Sequence, residues 1–233
     1  MLTASRERLP PNVPLDAGFL RRSCSGRAIG HKIYVFDQVS STNEVALRWG
    51  ESGEPDGCVI IAESQISGRG RFGRRWHSAP RCGIWCSLLL RPSFPPAQAA
   101  CLTPFATVAV ASSISRFLGL EVTLKLPNDL YLSRGKVCGL LIEARTGERF
   151  FAVVGIGINV NQLRNDFPAA LRGIATSLRE ETGALYDRTQ IALVVLTELD
   201  YLYTRLAEQL PAVQSLYEAW PRWRTASSSR KIG

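Results

Sequence analysis

Histidine is nearly absent from this chain of 233 residues: only His31 and His77 occur, and no two cysteines stand in a Cys-x-x-Cys spacing. A zinc site draws its ligands from those residue types at close spacing, so none is expected. The six cysteines (Cys24, Cys58, Cys82, Cys86, Cys101, Cys138) do not make a disulfide framework in a domain of this length. Several lie in apolar runs such as Cys58-Val59-Ile60-Ile61, where a thiol packs as a small hydrophobe. No apolar segment follows the early arginines and prolines, so a signal peptide is not supported. The most apolar stretch, from Ala97 to Leu120, is interrupted by Pro104, Ser112, Ser113, Ser115 and Arg116 and reads as a buried helix, not a membrane span. Internal repeats are missing. Residues 1–30 leave no room for the patterned helices of a DNA-reading helix-turn-helix. The expectation is a cytoplasmic protein that binds neither membrane nor operator DNA.

What is present describes an ordinary globular chain. Hydrophobic residues make up 45% and charged residues 21%, enough for one sizeable core. The net charge of +8 suits anionic ligands and says nothing about fold. Residues 1–30 read as an irregular lead-in with one helical turn near Phe19 to Arg22. Strands are expected at 33–36, 57–63, 84–90, 122–126, 130–132, 136–144 and 150–160. Helices are expected from Ser41 to about Gly50, from 97 to 118, near 168–171, from 187 to about 210, and from Pro211 to Trp220. Ser41-Thr42-Asn43-Glu44 fits a capping box, with a hydroxyl at the helix start and Glu three residues on. The hairpin-rich middle predicts an α+β fold whose mixed, largely antiparallel sheet is flanked by helices.

The densest chemistry lies in Gly68-Arg69-Gly70-Arg71-Phe72-Gly73-Arg74-Arg75-Trp76-His77-Ser78. Glycines permit close backbone approach, arginine forks match carboxylate or phosphate oxygens, and the tryptophan offers a flat ring. Such a loop could close over a nucleotide, or could equally be a solvated tether or an RNA contact. A dinucleotide-binding reading of Gly68-x-Gly70-x-x-Gly73 fails, because a strand and not a helix follows.

Five blocks in order narrow the choice: Ser41-Thr42-Asn43, the loop from Gln65 to Ser78, Lys125-Leu126-Pro127-Asn128-Asp129-Leu130-Tyr131, Lys136-Val137-Cys138-Gly139, and Gly155-Ile156-Gly157-Ile158-Asn159-Val160. Together they resemble the catalytic domain of biotin protein ligases, from about Gly30 to Trp220. The resemblance implies a class II aminoacyl-tRNA synthetase/biotin ligase-like catalytic domain over 31–220. It also implies biotin and ATP as substrates, with Mg²⁺, and a biotin carboxyl carrier protein as partner. Biotinyl-5′-AMP forms first, and biotin then passes to a carrier lysine. A homodimer is compatible with it. The lipoate ligases share the fold and the acyl-adenylate route, but the polar Ser41, Thr42 and Gln65 favour a ureido ligand.

Implied roles follow residue by residue. Ser41, Thr42, Asn43 and Gln65, with Arg69, Gly70 and Arg71, hold biotin; Gly139 and Gly155, with Gly157, let strand backbones pass close to its bicycle. On local sequence Ser41 and Thr42 read as readily as helix caps, and both roles can hold. Lys136, Arg69 and Arg71 are the implied catalytic cations. Trp76, Asn128, Asp129 and Asn159 are implied on the adenylate side, and Asp129 could face Mg²⁺ or the incoming lysine. Read alone, Lys136 is a solvated lysine after a turn and Trp76 a core residue. The pattern is departed from at Leu126, where Trp is usual, at Cys138, where Ala is usual, and at Ile66-Ser67. Residues 221–233 read as a basic tail, the stub of a C-terminal β-barrel that members carry.

Overall fold

Alternation along the two central strands decides the architecture. A computed structural model describes residues 13–146 and 149–223. Along β3 (Gly83–Leu90), Ile84, Cys86, Leu88 and Leu90 join one buried cluster while Leu89 joins another. β7 (Phe151–Asn159) divides likewise, with Ala152, Val154, Ile156 and Ile158 on one face and Phe151 and Val153 on the other. Side chains of a strand point alternately to opposite faces, so strands buried along their whole length need cover on both sides.

The sheet has seven strands in the order β1-β2-β3-β7-β6-β5-β4. β1 (Ile33–Phe36) and β2 (Cys58–Ala62) pair in parallel through the crossover helix α2 (Thr42–Glu51). Every other neighbour, including β4 (Thr123–Lys125), β5 (Asp129–Leu132) and β6 (Gly135–Arg145), pairs antiparallel. The mixed, largely antiparallel sheet is as expected.

One face is covered by α3 (Leu102–Leu118), with α5 (Arg188–Tyr203) and α6 (Leu206–Ala219) packed against it. α3 is buried at Phe105, Ala109, Val110 and Ile114, as a helix enclosed by a sheet and two helices should be. Burying the Phe105, Val110 or Ile114 side chain contributes about 1.5–3 kcal/mol each. The apolar span Pro96–Leu118 is long enough to cross a membrane, yet 67% of its most apolar window is buried, which marks a core helix. Its first residues, Pro96–Cys101, wind as a 3-10 helix.

Two helix boundaries differ from expectation. The chain turns at Thr204 and Arg205, where Arg205 leaves helical torsions (φ −117°, ψ 9°), and Pro211 lies inside α6 instead of starting it. A short helix, α4 (Leu178–Thr182), capped by Ser177, was not anticipated. The turn near Phe19 is a helix, α1 (Ala17–Ser23), and Leu15, Leu20, Cys24 and Ile29 enter the main core. A buried ion pair grips this lead-in. Arg188 lies 2.8 Å from Glu63 and also donates to Val13 O, while Glu63 accepts from Leu15 N. Of the tail, 224–233 lie outside the described residues, and Pro221–Trp223 run parallel to β4.

The second face carries α2 over Phe151, Val153, Ile60 and Leu89. Beyond Val153, the next positions of β7 on that face are Gly155, Gly157 and Asn159. Apolar cover ends where the side chains end, and a cavity opens.

Candidate active site

The cavity measures about 660 Å³, and every residue anticipated from the sequence as binding or catalytic lines it. Its floor is backbone. A Cβ on Gly155 would lie 2.1 Å from Asn43 Oδ1, and one on Gly157 2.6 Å from the Trp76 ring. No residue larger than glycine fits at either position while those side chains stay in place.

One end is built from short polar groups at the start of α2. Ser41 is the N-cap residue, but its hydroxyl makes no cap bond, and Ser40 is the residue that reaches Glu44, at 2.6 Å. The expected capping box is therefore absent. The orphan donor Thr42 N is satisfied from outside the helix by Gln65 Oε1 at 2.9 Å, which also accepts from the Thr42 hydroxyl. Gln65 is fixed in turn by donating to Ser78 Oγ at 2.8 Å. Ser87 Oγ lies 2.8 Å from Thr42 Oγ1 and 2.6 Å from Asn43 Oδ1, and Asn43 donates to Glu143 and to Leu141 O. This leaves the Ser41 hydroxyl, at the cavity wall, unused by the cap.

The other end holds the cations. Lys136 Nζ lies 2.7 Å from Asp129 and 5.2 Å from the centre of the Trp76 ring. Arg69 pairs with Glu143 at 2.9 Å, and Arg71 donates to Asn128 Oδ1 at 3.1 Å. Asn128 also donates to Leu140 O, so its amide is used on both sides. Asn159 donates to Thr176 O and Lys136 O and accepts from Gln162, so its amide too is spent within the protein.

The arginine-glycine loop is a small hairpin, not an open tether. Gly70 N donates to Arg74 O and Trp76 N to Gly68 O, around a 3-10 turn at Arg71–Gly73. Phe72, at the tip, is 81% exposed with φ 56°, and Arg71 and Arg74 lie over its ring. Arg75 reaches Ile66 O and Ser67. Trp76 lies over the glycine floor, edge-on to Trp85, with its Nε1 buried and unpartnered.

Burial disarms the nearby thiols. It pushes Cys86 up to about 12 and Cys138 well above the usual thiol range, so neither supplies a thiolate at neutral pH.

Sequence reasoning missed several residues. Ser87, the lone hydroxyl in an apolar strand, and Glu143, a carboxylate after the apolar run 140–142, left a signal; both hold lining residues from outside the cavity. Phe167, Leu171, Ile174 and Ala175 line the cavity but belong to an aperiodic segment that left none. That segment is joined to the lysine: Lys136 N donates to Ile174 O, and Thr176 N to Lys136 O.

Residues 35–161 match the biotin/lipoate A/B protein ligase family. The chain belongs to that family. The bifunctional ligase/repressor BirA of Bacillus subtilis is 37% identical over 179 residues, covering 76% of this chain and 55% of that protein. The chain thus spans about half the length of this curated relative. The biotin–[acetyl-CoA-carboxylase] ligase of Mycobacterium tuberculosis is 36% identical over 92% of this chain and 79% of its own length. The biotin protein ligase from Aquifex aeolicus, solved in complex with biotin and ATP, superposes with a TM-score of 0.69. It is 30% identical, covering 82% of this chain and 78% of that one. The ligase family's catalytic fold, of the class II aminoacyl-tRNA synthetase type, is therefore the fold of this chain.

Proposed function

We propose that this chain is the catalytic domain of a biotin–protein ligase, which joins biotin to ATP and passes the biotinyl group to a lysine of a biotin carboxyl carrier domain. One observation carries the reading: a glycine-floored cavity joins a short-polar end to a cationic end that includes Lys136, Arg69 and Arg71. A ureido bicycle with a carboxylate tail has that polarity.

The ureido group meets Ser41, Thr42 and Gln65, the last two held in position by the network to Ser78, Ser87 and Asn43. A buried donor or acceptor left unpaired costs about 1–3 kcal/mol, so the Ser41 hydroxyl, which the cap does not use, favours a ureido over a dithiolane. The bicycle lies along Gly155 and Gly157, and its tail points toward Lys136, Arg69 and Arg71. There the carboxylate oxygen attacks the α-phosphorus of ATP. An O–P bond forms, the bond to the β-phosphate oxygen breaks, and pyrophosphate leaves. Lys136 and the two arginines offset the charge that gathers on the phosphoryl oxygens. Asn128 positions Arg71, and Asn159 ties the 163–177 segment to Lys136. In the second step a neutral acceptor lysine attacks the acyl carbonyl, AMP leaves, and Asp129 is placed to hold the proton released.

Among the described residues no group of three metal-capable side chains occurs. Asp129 is the carboxylate of the cavity lining, and it is ion-paired. This donor set suits a Mg²⁺ carried in on ATP phosphates, with Asp129 beside it.

Incubation with biotin, labelled ATP and a carrier domain tests the proposal. Pyrophosphate release that needs biotin, followed by carrier labelling, is the expected result. Release driven by lipoate and not by biotin would overturn it.

A further inference from the structure

We propose that Trp223 is a positioning residue for adenylate formation, acting through Tyr131 on the Asp129–Lys136 pair; the proposal rests on the ligase reading. Trp223 follows the last helix by a few residues. Leu124 N donates to Pro221 O at 2.7 Å and Trp223 N to Leu124 O at 3.1 Å, so this segment extends the sheet beyond β4. Its indole stacks on the Tyr131 ring, with centroids 4.5 Å apart and planes at 30°.

Tyr131 is the link to the chemistry. It is buried, it lines the cavity, and it stands directly opposite Lys136 across the β5–β6 pair. The register shifts between Leu130 and Tyr131. Such bulges re-aim side chains beside active sites, and they hold their geometry only where neighbours support them. Asp129, two residues earlier and on the same face, makes the ion pair with Lys136. Lys125 Nζ lies 5.6 Å from the Tyr131 ring. Two further bonds hold the adjoining segment from α6 and its end: Tyr217 donates to Pro127 O and Trp220 Nε1 to Val122 O. The wall that carries Asp129 and faces Lys136 is thus braced from the sheet edge, and Trp223 is the brace that touches Tyr131, at the bulge.

A brace that served stability alone would affect all steps and all ligands alike. A positioning residue acts on one step, through one partner. The test measures biotin-dependent pyrophosphate release by the full chain for Trp223→Ala and Trp223→Phe, each in the wild-type and the Lys136→Ala backgrounds. Trp223→Ala should lower kcat about tenfold, as small displacements of a catalytic group do, with KM for biotin unchanged. Trp223→Phe should restore most of the rate. In the Lys136→Ala background Trp223→Ala should cost nothing further, because coupled residues are not additive. An equal loss in both backgrounds, a parallel change in KM, or an unchanged rate would overturn the proposal. If Trp223→Ala loses its thermal transition, Trp223→Leu carries the same comparison. A wild-type chain that makes no adenylate removes the ligase reading and this proposal together. A wild-type chain that makes it, matched by Trp223→Ala, removes only this one.

Discussion

The two ends of the cavity are stabilised in opposite ways. At the start of α2, Ser41, Thr42, Asn43 and Ser87 are all nearly inaccessible to solvent, and the last three are joined with Gln65 into one hydrogen-bonded group. At the cationic end, Arg69 keeps 43% of its side chain exposed and Lys136 23%; Lys136 is matched to Asp129, and Arg69 to Glu143, which also accepts from Asn43 and so links the two ends. A buried, satisfied network has few alternatives and holds its shape before a ligand arrives. A half-exposed ion pair is worth little and exchanges readily for a better anion. One end is therefore built to recognise, and the other to rearrange around phosphate and carboxylate.

Replacing the lysine should separate the two ends most. Lys136→Ala should lower adenylate formation by two to three orders of magnitude, about 2.7–4 kcal/mol of barrier, as for loss of one preorganised charge partner. The melting temperature should stay near that of the parent chain, since Lys136 is partly exposed. Lys136→Arg should rescue only in part, because a planar fork does not replace a compact ammonium. Pyrophosphate release with a parallel thermal melt decides this, and near-normal turnover in Lys136→Ala would show that the wrong cation has been assigned.

Next in size is a contrast in stability. Gln65→Ala removes the group that satisfies Thr42 N and should cost about 1–2 kcal/mol, the range for loss of a helix cap. Arg69→Ala breaks a partly exposed pair and should cost under about 1 kcal/mol, while still slowing the reaction. Urea titrations of the two variants make the comparison. Equal destabilisation would mean that the ends do not differ in the way described.

The smallest effect concerns motion. Loops that close over substrates open locally at little free-energy cost. Amide exchange from Gly68 to Ser78 should slow when biotin and ATP are added together, while exchange in α2 should change little. An unresponsive loop, or a response spread evenly over both, would remove the distinction.

Much of this was legible in the residues themselves. Continuous apolar runs marked strands such as 57–63, and the resemblance marked Gly155 and Gly157 as places where a strand backbone passes close to the ligand. Arg69 and Arg71 stood out in the glycine-rich loop, whereas Lys136, a solvated lysine when read alone, was marked only by the resemblance of the ordered motifs. Pairing was not legible. Ser41-Thr42-Asn43-Glu44 has the composition of a capping box, but Gln65 takes the cap because β2 delivers it beside Thr42. The segment 163–177 carries no period, so its contribution to the cavity wall could not be read from composition.

Local sequence determined most element types, because torsional preference and burial pattern act over a few neighbouring residues, and the order of its motifs marked the glycines and the groups that chemistry could use. Which group serves which was decided by tertiary structure. Gln65 lies 23 positions from Thr42, and Asn43 lies 98 positions from the Leu141 carbonyl it holds. Trp223 meets Tyr131 only because the chain returns along β4 after α6. Hydrogen bonds and ring contacts need partners within a few ångströms, and sheet register with helix packing sets those distances across the whole chain.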